Sequence, residues 1–134
     1  MKRLVLLFAA LAFGSVAFAQ TIGLSVSTLN NPFFVSLQEG AQAAADEAGA
    51  QLITVDAQDD VSKQLSDIED LITQGVDVIV INPTDSAAVV TAVRNANSAG
   101  IPVITVDRDA EGGDVAYHIA SDNVAGGRMA GEYL

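Results

Sequence analysis

Val76-Asp77-Val78-Ile79-Val80-Ile81-Asn82-Pro83-Thr84-Asp85 decides the fold class. Its first six residues are β-branched and apolar apart from Asp77, so they read as a strand covered on both faces. A strand with one wet face would alternate apolar and polar residues instead. Asn82 then leaves the sheet, and Asp85 or Ser86 can cap the helix that follows. The same unit recurs on either side. Ile22–Ser27, Gln51–Val55 and Val103–Val106 are further apolar strand candidates, and Pro32–Ala48, Val61–Gln74 and Ala87–Ala99 carry helical spacing. Gly49, Gly75 and Gly100 stand at the three helix ends, and Pro102 bars continuation beyond the last. Regular alternation of this kind predicts an α/β fold, a doubly wound parallel sheet with right-handed crossovers. A fifth short strand is expected at Tyr117–Ala120 and a last helix from Asp122 or Asn123 to the end of the chain. No linker, low-complexity tract or sequence repeat interrupts the pattern.

The N-terminus has a different character. Met1-Lys2-Arg3 is cationic, Leu4 to Phe18 is apolar, and Ala17-Phe18-Ala19 has the small-x-small form of a cleavage site. The apolar run is 15 residues, shorter than the roughly 20 needed to span a bilayer. Residues 1–19 are therefore expected to be a cleaved export signal, giving a periplasmic protein without a membrane anchor. The chain has no cysteine, which excludes disulfides, thiolate chemistry, lipid attachment and most structural zinc sites. Without Lys2 and Arg3, four basic residues face 17 acidic ones, a net charge of −13. Such a surface repels phosphate backbones and argues against nucleic acid as a partner.

In open α/β sheets, ligands bind beyond the carboxyl ends of the strands. Those ends carry Asn30-Asn31, Asp56 to Asp60, Asn82-Pro83-Thr84-Asp85, Asp107-Arg108 and Ser121-Asp122-Asn123. Asn31 before Pro32 suits an N-cap and first helical residue, and Phe33 and Phe34 follow at once. Flat amides, an acceptor-only carboxylate beside a five-donor guanidinium, and two phenyl faces suit a guest with a hydroxyl rim and an apolar ring face. The plainer alternative makes the Asn pair a helix cap, both Phe core residues, and Asp107-Arg108 a rim ion pair of little energetic weight.

Enzyme signatures are missing. There is no Gly-x-Ser-x-Gly nucleophile elbow, no Gly-x-Gly-x-x-Gly after the first strand and no Walker loop, so no cofactor is implied. His118 is the sole histidine and is expected to be structural. A phospho-receiver would need a carboxylate where Asn82 stands and a lysine after the fifth strand, whereas no lysine follows Lys63.

Val26–Phe34, Ile81–Asp85, Pro102–Arg108 and His118–Asn123 together closely resemble the periplasmic D-ribose-binding proteins. These belong to the sugar-binding family that also supplies effector domains of lactose-repressor-like regulators. The resemblance covers Thr21 to Leu134. It implies a non-enzymatic, two-lobed receptor that closes on a monosaccharide and serves the membrane permease of an ABC importer. Some members also dock on chemotaxis receptors. It further implies that Asn31, Asn82, Asp107 and Arg108 hydrogen-bond the sugar and that Phe33 and Phe34 stack on or flank it. Residues 20–121 would form an incomplete N-terminal lobe, with 122–134 the crossover and first helix of a truncated second lobe. Such receptors are about twice as long, so the chain is expected to be a truncated form carrying half a site. A regulator's ligand-sensing domain is the alternative, and it calls for a preceding helix-turn-helix rather than an export signal.

Overall fold

The computed structural model describes residues 19–134. The expected export signal lies outside them, save for Ala19. The described elements are β1 (Thr21–Val26), α1 (Pro32–Ala48), β2 (Gln51–Asp56), α2 (Val61–Gln74), β3 (Val78–Ile81), α3 (Val90–Ser98), β4 (Val103–Val106), β5 (Tyr117–Ile119) and α4 (Asn123–Tyr133). All strands are parallel, in the order β2-β1-β3-β4-β5. The direction of winding reverses beside β1, so the β1–β3 seam is the place where loops part and a crevice opens.

The helices divide between the two faces, as double winding requires. Ile68 and Leu71 of α2 and Val89, Ala92, Val93 and Ala96 around α3 form one buried cluster with Ile79, Ile81 and Val103. On the opposite face α1 lies over Leu24 and Val80, bringing Leu37, Ala41 and Ala45. Gly23 of β1 explains how closely α2 can settle. A Cβ there would stand 2.9 Å from Leu71 Cδ1, nearer than two carbons can approach.

Two boundaries differ from the sequence pattern by more than one residue. β3 begins at Val78 rather than Val76, because Val76 N–H closes the end of α2 on the Leu71 carbonyl at 3.4 Å. Gly75 makes that stop possible with φ at 73°. Helix α3 begins at Val90 rather than Ala87, because Asp85 Oδ1 accepts from Ala87 N at 3.0 Å and Ala88 N at 2.7 Å and holds a turn first. Helix α4, capped by Asp122 through a 2.8 Å bond to Ala125 N, buries none of its residues. Among the described residues no helix is long and apolar enough to cross a membrane.

Candidate functional site

The carboxyl ends of β1, β3 and β4 are tied together by one buried amide. Asn82 is 0% exposed. Its Oδ1 accepts from Ser27 N at 3.2 Å, and its Nδ2 donates to the Val106 carbonyl at 3.1 Å and, more weakly, to Asp107 Oδ2 at 3.4 Å. Three loops thus share one rim because a short flat side chain with a donor end and an acceptor end sits between them. Asn82, expected above to contact a guest, thus has three partners inside the protein.

The helix end of the β1–α1 turn is built locally, while Leu29 N donates to Asp56 Oδ1 at 3.2 Å. Asn31 adopts extended backbone and its Oδ1 accepts from Phe33 N at 3.0 Å, while Pro32 starts the helix without needing a partner. The cap uses the amide oxygen and leaves the nitrogen at the exposed rim. The two phenyl rings part company here. Phe33 is 52% exposed, whereas Phe34 is 3% exposed and enters the core. Their rings meet edge to face with centroids 5.2 Å apart, a favourable arrangement that lets the buried ring brace the open one. Of the two rings expected to stack on or flank a guest, Phe33 is thus open at the rim and Phe34 is buried behind it.

The turn after β4 carries the charged pair in an unusual backbone. Asp107 has φ of 65°, its N–H donates to the Ile119 carbonyl at 2.8 Å, and Arg108 N donates back to the Val106 carbonyl at 2.8 Å. A hydrogen bond spanning one residue of positive φ is a γ-turn of the rarer, strained kind. The strain turns the carboxylate toward Asn82 and the rim. Arg108 Nη1 donates to the Pro83 carbonyl at 2.8 Å and to the Thr84 carbonyl at 3.1 Å. Its Nε stays 3.9 Å from Asp107 Oδ2, too far for a direct bond. Of five guanidinium donors, Nε–H and both on Nη2 remain for a guest.

Phe33, Val106, Asp107, Ile119, Ala120 and Ser121 line a hollow of about 220 Å³ at this rim. Asn31 and Arg108 stand beside its lining residues in the chain. The hollow thus offers an apolar wall from Phe33 and Ile119 and a charged acceptor from Asp107.

Sequence reasoning missed two supporting groups. Gln64 of α2 is buried and bonds the β1 and β3 ends. A polar residue on the apolar stripe of Ile68 and Leu71 was the available signal. The second is a chain of three side chains behind Asp107. Thr105 Oγ1 lies 2.7 Å from Asp109 Oδ1 and 2.9 Å from His118 Nδ1. An ionised Asp109 can only accept, so Thr105 donates to it and His118 Nδ1–H donates to Thr105. That bond from Thr105 holds the Asp109 carboxyl below its ordinary value; partial burial opposes it, and Ala110 N–H and His118 add to the lowering. His118, expected to be structural, thus has its Nδ1 engaged by Thr105.

Comparison with known proteins agrees with this layout. Residues 22–134 match the model of the periplasmic binding protein domain. The chain is 61% identical over 114 residues to the ribose import binding protein RbsB of Bacillus subtilis, covering 85% of this chain and 37% of that protein. It is 51% identical over 139 residues to RbsB of Escherichia coli, covering 100% of this chain and 47% of the relative. A solved ABC transporter solute binding protein from Mycobacterium smegmatis, with bound glycerol, superposes with a TM-score of 0.81 at 43% identity. That superposition covers 86% of this chain and 40% of the other. The chain spans less than half the length of the curated relatives named here. A 2-1-3-4-5 parallel sheet with its polar rim at the carboxyl ends, joined to a match over nearly every described residue, places this chain in the periplasmic binding protein domain family.

Proposed function

We propose that this chain carries the first-lobe half of a monosaccharide receptor, with D-ribose the favoured guest. The whole receptor would work in the periplasm and hand sugar to the membrane permease of an ABC importer. Residues 1–19 would be its export signal, 20–121 the incomplete first lobe, and 122–134 the crossover into a second. Chemotaxis receptors are a further partner class for such a lobe.

One observation carries the reading: Phe33 and Asp107 line a single hollow, and Arg108, next in the chain, keeps donors beyond the two it gives to the Pro83 and Thr84 carbonyls. A sugar needs all three kinds of surface. Its C–H face packs on a phenyl ring, and its hydroxyls both donate to a carboxylate and accept from a guanidinium. Asn31 adds an amide nitrogen, while Asn82 and Phe34 support the contacting groups from within. The hollow's 220 Å³ falls below the roughly 300–1,000 Å³ of an enclosed small-molecule pocket, as half of a site would. The import of ribose named for the curated relatives supports the choice of guest.

Calorimetry with D-ribose tests the proposal in two arms. The chain Gln20–Leu134 alone is expected to bind weakly or not at all, and micromolar affinity would refute the half-site. In a receptor carrying this lobe, Asp107→Ala and Arg108→Ala each remove charge-assisted bonds worth about 1.5–3 kcal/mol apiece, so affinity falls at least about tenfold. Phe33→Ala weakens binding through the lost ring contact. Unchanged affinity in all three variants would overturn the site.

A further inference from the structure

We infer that Gln64, on α2 and away from the rim, is a positioning residue that presets Arg108 through the backbone of Asn82-Pro83-Thr84. The inference rests on the sugar site proposed above, but its test uses no sugar.

Gln64 is 2% exposed, on the helix face that Ile68 and Leu71 press against the sheet. A primary amide at that depth must find partners. Its Oε1 accepts from Thr84 N at 2.7 Å, and its Nε2 donates to the Asn82 carbonyl at 2.9 Å and to Ser25 Oγ at 3.2 Å. One side chain thereby grips a carbonyl and an N–H two residues apart, much as a neighbouring strand would.

Pro83 explains why a side chain has this task. Proline has no N–H, so Thr84 N–H is the first donor the backbone offers after Asn82, and Gln64 takes it. With the segment held there, the Pro83 and Thr84 carbonyls receive both hydrogens of Arg108 Nη1 at 2.8 and 3.1 Å. A guanidinium is planar, so fixing Nη1 at two points fixes the plane in which Nε–H and the Nη2 hydrogens lie. Those are the donors left for a guest. The order runs from helix amide to loop backbone to arginine plane. A leucine or methionine would fill the same volume and supply none of it.

Nitrogen-resolved NMR of the chain Gln20–Leu134 reads the arginine directly. In the unmodified chain, Arg108 should show separate Nη signals from restricted rotation, identified by their disappearance in Arg108→Lys. Gln64→Met keeps the packing volume and removes the amide. It should merge or broaden those signals and speed exchange of Thr84 N–H by roughly tenfold or more, while signals remote from residues 82–84 and 107–108 hold their positions. Protonated, Gln64→Glu offers an acceptor to Thr84 N–H and a donor to the Asn82 carbonyl, so lowering the pH should restore the restricted Arg108 in that variant, which a merely space-filling role would not do. Should Gln64→Met fail to fold, Gln64→Asn, one methylene short of Thr84, replaces it with the same expected loss. A folded Gln64→Met or Gln64→Asn chain with Arg108 signals unchanged overturns the inference, as does Gln64→Glu in acid behaving no better than Gln64→Met. None of these results depends on ribose, so failure of the sugar reading would leave them standing.

Discussion

The β1–α1 turn and the turn after β4 face the same hollow but are made in opposite ways. In the first, Asn31 and Phe33 are bonded two residues apart, and the helix start alone orients them. In the second, Arg108 is held by carbonyls 24 and 25 residues upstream, and Asp107 leans on an asparagine at similar distance in the chain. The Asn31 cap would form in any chain that begins a helix there, although Leu29 N, earlier in the same turn, reaches Asp56 Oδ1 27 residues on. The second exists only when the sheet has closed. A rim built from both kinds has one wall that tolerates local change and one that records the integrity of the whole layer.

Removing Asn82 should separate the two most sharply. Asn82→Ala strips a partner from the buried Ser27 N–H and from the Val106 carbonyl, at a cost of about 2–4 kcal/mol for the pair. Urea titration should show that loss in the midpoint, with the turn after β4 disturbed more than the helix cap. A second variant sharpens the contrast from the other side. Asp107→Gly relieves a positive φ that costs a side-chain-bearing residue about 1–2 kcal/mol, so thermal stability should hold or rise while any contact through the carboxylate is lost. A stability loss above that range would show that the Asp107 carboxylate braces the turn.

The local wall should respond by less. Asn31→Ala removes the cap and is expected to cost about 1 kcal/mol by thermal melting, with Asn31→Ser recovering most of it. The smallest effect concerns the network behind Asp107. Asp109 has a folded carboxyl held below its ordinary value, so its contribution is complete above the unfolded value of about 3.9 and fades as pH falls through the folded one. Asp109→Asn should therefore lie below the unmodified chain in stability at neutral pH and converge with it in acid. Parallel curves across that range would dismiss the Thr105 bond as the cause.

The same division explains what the sequence disclosed. The four principal strands, α1 and α2 at their full lengths, and the Asn31 cap were legible because each rests on spacing and near-neighbour chemistry. The starts of β3 and α3 were misplaced by two and three residues because Val76 and Asp85 serve their preceding turns before the regular element begins. In the site, residue type pointed to the rim but not to which atoms stay free. Adjacent phenylalanines look alike in sequence, yet a helix turns by about 100° per residue and sends one into the core. Asn82 read as a contact because an amide at a strand end suits a guest and a neighbouring loop equally well. Gln64 went unseen because its partners are 18 to 39 residues distant.

Gly23 lies well below the rim, yet it governs how deep the rim's brace can reach. Gln64 is two helical turns from Leu71 on the same buried face of α2, and Leu71 rests where Gly23 has no side chain. Adding one methyl at that point would press on the buried Leu71 side chain, and whatever part of that push reached the helix would be felt at its far end, where tenths of an ångström separate a bonded amide from an idle one. The absence of an atom in the floor of the layer thus calibrates the grip at its mouth.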